Sequence, residues 1–527
     1  MSKNLLEKID LVRTNANQGI RSEIRSAFGQ YMTPIGIAEF MCSLFQNIPK
    51  KIKLLDPGAG VGSLTAAFVN HFCAHNTKAR EVKVTAFEID AHLASCLSTT
   101  LWDCAVVSQI HKVSFDGKLR KEDFILETSK QINSGLSKND LFTHVIMNPP
   151  YKKISNISAH RLSLRKVGIE TSNLYTAFLA LSVLLLEENG ELVAITPRSF
   201  CNGPYFLPFR RLFLEHMALK HIHVFEERNK AFKDNEVLQE NIIFHAIKNG
   251  KKDRVKVSSS SGADFYHYTC RDVDYSQVIC PNDPEHFIHL AVREGDDETT
   301  KRIKAFSCRL EDLDISVSTG PVVDFRLKDS IKQNPVSGSV PLIYSTHCKN
   351  NFVVWPIAGR KPNAIIDDKK SNKWLMPNGF YTLVKRFSSK EEKKRVVASV
   401  HDPGKVKASS IGFENHLNVF HENKAGLPED LAKGLTVFLN SSLVDSYFRQ
   451  FNGHTQVNAT DLRKLTYPNR KQLISLGKNV NGKFPSQETI DLMIKKLEVE
   501  RLGEQQKQKN KRSLGGTETS RTSTRAV

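Results

Sequence analysis

Residues 51–69 read KIKLLDPGAGVGSLTAAFV. An apolar strand, Lys51–Leu55, meets an acid, Asp56, then Pro57 and the glycines Gly58, Gly60 and Gly62, and then a helical run, Ser63–Asn70. Glycines permit a tight turn and a close backbone approach to a ligand. The start of the helix offers N–H groups without partners inside it. The spacing is GxGxG, not the GxGxxG of dinucleotide sites, and an acid ahead of the loop would repel a pyrophosphate. It suits a ligand that carries a positive amine. A glycine loop by itself is more often a plain turn than a cofactor site, so its neighbours must decide.

Working outward, further strand-like runs occur at Val82–Glu88, His144–Met147, Gly190–Thr196, Ile222–Phe225 and Asn241–Ile247. Helical stretches such as Asp90–Leu101 and Leu174–Leu186 lie between them. Such alternation predicts an α/β fold with a doubly wound, mostly parallel sheet. These sheets bind ligands outside the carboxyl ends of their strands. Glu88, with Ile89 after it, closes the second strand, where a carboxylate can accept from both hydroxyls of a ribose. In KEDFILE, Asp123 could accept from the amino group of an adenine while Phe124 packs on the ring. Each acid alone would more often be a capping or solvated residue; together they mark successive strand ends.

The run Thr143–Met147 stops at Asn148-Pro149-Pro150-Tyr151. Two prolines cannot continue a strand ladder, because each lacks an N–H and fixes its own φ. The chain is rigid there, with an amide on one side and an aromatic ring on the other. The Asn148 side chain and the Pro149 carbonyl can both accept from one exocyclic NH2, and Tyr151 can stack on the attached base. Held this way, the nitrogen lone pair leaves conjugation with the ring and can attack an electrophile. Positioning and hydrogen bonding then do most of the catalysis.

The chain has 527 residues, enough for two or three domains. Its 75 Lys+Arg against 56 Asp+Glu give a formal charge of +19, which suits a polyanionic partner but also a merely basic soluble protein. Nine scattered cysteines without a CxxC pair suggest reduced thiols and no metal site. Apolar runs such as Leu179–Leu186 fall short of a membrane span, and Met1–Asp10 lacks the apolar core of a secretory signal. A cytoplasmic protein without membrane contact is expected. Residues 1–26 read as an amphipathic helical segment and 27–250 as the α/β domain. Polar, turn-rich 251–304 reads as an interdomain linker. Short irregular segments over 305–470 predict a second, α+β domain. Helical patterning marks Glu429–Phe448 and Gln487–Leu502, the latter within a C-terminal segment 471–502. The basic tail 503–527 reads as disordered.

In this order the motifs resemble S-adenosylmethionine-dependent DNA amino-methyltransferases, the adenine-N6 kind of the gamma order. That order places cofactor motifs first, NPPY next and target recognition last. GQYMTPIGIAEFM (29–41) resembles the family's most N-terminal motif, and DPGAGVGSL, FEID and EDF resemble the following cofactor motifs. NLYTAFL (173–179), GELVAITPRSF (190–200) and RNKAFKDNEVLQENIIF (228–244) resemble the later ones. VSTGPVVDFR (317–326) and NGHTQVNATDLRKL (452–465) resemble restriction–modification methylases of the PstI and BsuBI kind. The resemblance implies a Rossmann-like methyltransferase sheet followed by a target-recognition domain, with S-adenosylmethionine as cofactor. It places Thr33 and Pro34 by the cofactor's methionine carboxylate and Phe232 against a flipped adenine. It implies double-stranded DNA as substrate and a short palindromic site such as CTGCAG.

In the second domain Arg326, His347, Lys349, His454, Gln456 and Asn458 carry groups that match base edges or phosphates; fold roles are as plausible for each. No nuclease pattern of the PD…(D/E)xK kind is present. The chain therefore reads as a stand-alone, monomeric methylase that protects host DNA from a separate cognate endonuclease. Two other uses of NPPY chemistry stay open: an RNA base amine, and the side-chain amide of a protein glutamine. The long C-terminal region argues against the second, since added domains usually supply substrate recognition.

Overall fold

The computed structural model describes residues 2–19, 32–75, 80–225, 241–262, 264–290, 295–387, 393–451 and 456–499. The strand that opens the glycine loop, β1 (Lys51–Pro57), pairs in parallel with β2 (Glu81–Phe87) on one side and β4 (Phe142–Met147) on the other. Outside β2 lies β3 (Ser114–Arg120); outside β4 lies β5 (Leu186–Pro197). Then follow β6 (Met217–Phe225), β7 (Asn241–Lys248), β8 (Arg254–Ser260) and β9 (Thr269–Asp274). Among the described residues the order across the sheet is β3-β2-β1-β4-β5-β7-β6-β8-β9, with β7 antiparallel to both its neighbours.

Both faces of this sheet are buried, which explains why its inner strands read as continuous apolar runs. Leu55, Val145, Met147, Leu192 and Ala194 point into one core; Leu54, Ile146, Val193 and Ile195 point into the other. Helices α1 (Ser2–Gly19), α2 (Ile35–Ser43), α3 (Ser63–His75) and α4 (Ala91–Ile110) cover the second core. Helices α5 (Phe124–Ser134), α6 (Ala159–Lys166), α7 (Leu174–Leu185) and α8 (Leu207–His216) cover the first. The chain thus winds first one way from β1 and then the other. Each fully buried Leu, Ile or Val contributes about 1.5–3 kcal/mol. The N-terminal helix belongs to this unit through Leu5, Leu6 and Ile9, whereas Leu11 faces outward.

The linker expected over 251–304 is corrected by β8 and β9, and the N-terminal compact unit extends to Val292. The cause is a polar core. Ser258, Ser259 and Ser260 are buried, with hydroxyls bonded to His221, His223 and Thr269. Polar groups satisfied in this way can be buried without apolar alternation in the sequence.

The C-terminal unit, Arg293–Val527, is α+β. Its described residues form a six-stranded sheet, which includes Tyr381–Lys385, Ala398–His401 and Leu417–His421, and a five-stranded sheet, which includes Ser339–Ile343 and Ser410–Phe413. The helical run Glu429–Phe448 divides into α9 (Glu429–Leu439) and α10 (Ser442–Phe451). Asn440 breaks it because its amide bonds the backbone of Ala398 and Thr436. After α11 (Ala459–Arg463), α12 (Arg470–Gly477) crosses α9 at backbone contact. A Cβ on Gly434 would stand 1.7 Å from the Leu473 carbonyl oxygen, and one on Gly477 1.8 Å from that of Asp430. A further helix spans 487–499. The tail 503–527 lies outside the described residues. No described helix is long and apolar enough to cross a membrane.

Candidate cofactor and catalytic site

The sheet winds in opposite directions from β1 and β4, so a crevice opens above their carboxyl ends. The glycine loop leaves β1 on one side of it, and the Asn148 segment leaves β4 on the other. The loop is fastened to β2: the N–H groups of Gly58 and Ala59 donate to the Phe87 carbonyl at 3.0 and 2.8 Å. Gly60 N–H donates to Glu88 Oε2 at 2.9 Å, and Asp90 N–H to Oε1 at 2.8 Å. Gly58, Gly60 and Gly62 have φ of +84°, +58° and +90°, values that other residues adopt only with strain.

Above the crevice lies a cavity of about 500 Å³. Of the residues singled out in the sequence, Thr33, Gly58, Gly60, Glu88, Ile89, Asp123, Phe124, Asn148 and Pro150 line it. Its apolar walls include Phe124, which packs 4.9 Å from Phe178, and the largely exposed Ile89. Asp56 is fully buried behind the loop. Its Oδ2 accepts from Thr65 Oγ1 at 2.7 Å, while Oδ1 has no partner among the described residues. Burial, aided by the nearby Glu88 charge, raises its pKa to about 7 against the pull of Thr65. Burial also raises Glu88, partly offset by the N–H groups of Asp90 and Gly60.

Asp123 caps α5, accepting from Leu126 N–H at 3.0 Å, and its other oxygen lies 2.8 Å from His160 Nε2. Burial would raise Asp123, but the His160 bond and the backbone donors bring it below its usual range; the same bond raises His160. No sequence signal marked His160, nor Lys152, Lys153 and Phe178, which also line the cavity. No spacing rule links His160 to an acid 37 positions away.

At the end of β4 the Asn148 amide is held from both sides. Its Nδ2 donates to Thr33 Oγ1 at 3.0 Å, and its Oδ1 accepts from the Tyr151 hydroxyl at 3.0 Å. Tyr151 also lies 3.3 Å from the Ile195 carbonyl oxygen. The Thr33 hydroxyl, expected beside a carboxylate, thus orients Asn148, and Pro34 stands at the start of α2. Pro149 is buried and does not line the cavity.

In the C-terminal unit, Arg326 is exposed beside exposed Phe325, and Lys349 is exposed. His347 is corrected from a base reader to a core residue. It is fully buried, with one ring nitrogen 3.0 Å from Asn363 Oδ1 and the other accepting from Tyr344 N–H at 3.0 Å. Gln456 accepts from Arg386 at 3.3 Å, and Asn458 caps α11. Phe232 and His454 lie outside the described residues.

Glycine cradle, ribose-type carboxylate, apolar slot and a buried acid with an unused oxygen fit an adenosyl ligand with a cationic end. Fold and site together define an S-adenosylmethionine-dependent methyltransferase. The chain belongs, within that class, to the type II methyltransferases of restriction–modification systems and is a DNA methyltransferase. It is 42% identical over 505 residues to the type II methyltransferase M.PstI of Providencia stuartii, covering 95% of this chain and 98% of that one. It is 45% identical over 501 residues to M.BsuBI of Bacillus subtilis, covering 94% and 98%. Residues 70–232 match the family described as Eco57I restriction-modification methylase.

Proposed function

We propose that the protein methylates the N6 amine of one adenine in a short double-stranded DNA site, so protecting host DNA in the cytoplasm from a cognate endonuclease. The observation that carries this reading is Asn148 at the end of β4, at the edge of the cofactor cavity, with its amide orientation set by Thr33 and Tyr151. An asparagine here, rather than serine or aspartate, favours adenine over cytosine. S-adenosylmethionine supplies a methyl group made electrophilic by its sulfonium sulfur. Gly58, Gly60, Glu88, Ile89 and Phe124 hold it, with Asp56 countering its positive charge from behind the loop.

A base within a duplex cannot reach this recess, so the adenine must turn out of the stack, at about a few kcal/mol. Asn148 Oδ1 then accepts one N6 hydrogen in place of the Tyr151 hydroxyl, and the Pro149 carbonyl accepts the other. Both bonds draw the lone pair out of the ring. The proton leaves once the nitrogen carries positive charge, so no strong base is needed. Tyr151, freed from Asn148, stacks on the base. Arg326 and Lys349 contact the DNA from the C-terminal unit. A monomer modifies one strand at a time.

The test is single-molecule sequencing of plasmid DNA from a methylation-free host that expresses this chain. N6-methyladenine in one short motif is the expected result. Unmodified plasmid, from protein that binds S-adenosylmethionine, would transfer the chemistry to an RNA or a glutamine amide.

A further inference from the structure

We propose that His160 is a positioning residue for the cofactor's adenine, holding the Asp123 carboxylate in the setting from which it accepts the exocyclic amine. The inference rests on the assignment of this cavity to S-adenosylmethionine. Two bonds fix Asp123: Leu126 N–H on Oδ1 at 3.0 Å and His160 on Oδ2 at 2.8 Å. The first alone would leave the group free to turn about that single contact. The second comes from a different element, α6, and locks the plane of the carboxylate.

Each carboxylate oxygen can accept two hydrogen bonds, so one position on each stays open to a ligand. Asp123 and His160 are both partly exposed, and both line the cavity beside Phe124. A carboxylate fixed in this way favours a purine that donates from position 6. A 6-oxo purine would set its own oxygen against those lone pairs, and an unmatched polar contact of that kind discriminates strongly. His160 also lies in the first turn of the helix that follows the catalytic segment, so one bond joins the adenine slot to the chain behind Tyr151.

The proposal is tested on the full-length protein by calorimetric titration with S-adenosylhomocysteine and with its 6-oxo analogue, S-inosylhomocysteine. The unaltered protein should prefer the adenosyl ligand. His160→Ala should weaken adenosyl binding about tenfold to a hundredfold and inosyl binding much less, so that the preference collapses. His160→Gln keeps an N–H donor and should recover most of it. In turnover, KM for S-adenosylmethionine should rise in step with the lost affinity, while kcat falls by less. Three results would overturn the proposal: a preference that survives in His160→Ala, an equal weakening of both ligands, or no preference in the unaltered protein. Failure of the unaltered protein to bind S-adenosylhomocysteine would instead overturn the cavity assignment beneath it.

Discussion

Asp56 carries its charge at a cost that a cationic ligand, in the role proposed above for the cofactor, would offset. Burial holds its pKa at about 7, above the usual carboxylate range, so below pH 7 the ligand-free protein keeps it mostly protonated. A cationic ligand favours the ionised form, and its binding drives that proton off. Affinity for S-adenosylmethionine should therefore rise with pH, about tenfold per unit below pH 7, and level off above it. Calorimetry in buffers of different ionisation enthalpy should register proton release at about pH 6.5. Asp56→Asn should lose both the slope and the release; a slope that persists would locate the titrating group elsewhere. Thr33 lies on the other side of the cavity, where its hydroxyl accepts from Asn148 Nδ2 and, in the proposed mechanism, sets which end of that amide would meet the base. Thr33→Val should lower kcat about fivefold to tenfold, with Thr33→Ser restoring it and the cofactor dissociation constant moving less. Asn148→Ala removes the acceptor itself and should cost at least about a hundredfold in kcat while cofactor and DNA still bind. The strand-end positions of Asp56, Glu88 and Asn148 were legible in the sequence because each closes an apolar run at the carboxyl edge of the sheet. The pairings of Thr33 with Asn148 and His160 with Asp123 were not, because they join residues 115 and 37 positions apart through a fold that must already exist.

Whole elements divide in the same way. β1, β4 and β5 are buried on both faces and could be read from apolar runs alone. β3 borders the sheet with a largely polar sequence, Ser114–Arg120, and gave no such signal. β8 buries serines against histidines, so its strand character became visible only with its partners in place. The α9–α12 crossing shows how little a pattern of apolar residues says about distance. Two glycines, Gly434 and Gly477, let the helix backbones meet, and nothing around them could yield to a methyl group. Gly434→Ala should destabilise the C-terminal unit by about 3 kcal/mol or more, since the obstacle is a backbone carbonyl and not a mobile side chain. Chemical denaturation of the full chain should show a lowered midpoint for that unit. An unchanged midpoint would mean that the helices can separate at no cost.

At the scale of the molecule, net charge is the feature that composition states without any structure, and it has a quantitative consequence. With a formal charge of +19, contacts to phosphates should supply most of the affinity for DNA of any sequence. Which residues read the bases was not legible, because base readout follows no periodicity; His347 looked suited to it and proved to be part of the core. The phosphate contribution can still be measured. If the protein neutralises at least about four phosphates, the logarithm of its DNA affinity falls against the logarithm of salt with a slope of about −3.6 or steeper, at least about a hundredfold between 50 and 200 mM. Cognate and unrelated duplexes should share most of that slope and differ by a factor that salt changes little, since base contacts release few counterions. A single-stranded RNA with as many phosphate contacts should give a shallower slope, because its counterion atmosphere is thinner, and should show no motif preference. A slope near −1 for a duplex that is nevertheless bound tightly would separate charge from recognition. The basic balance would then serve solubility alone, and affinity would have to come from contacts to the bases.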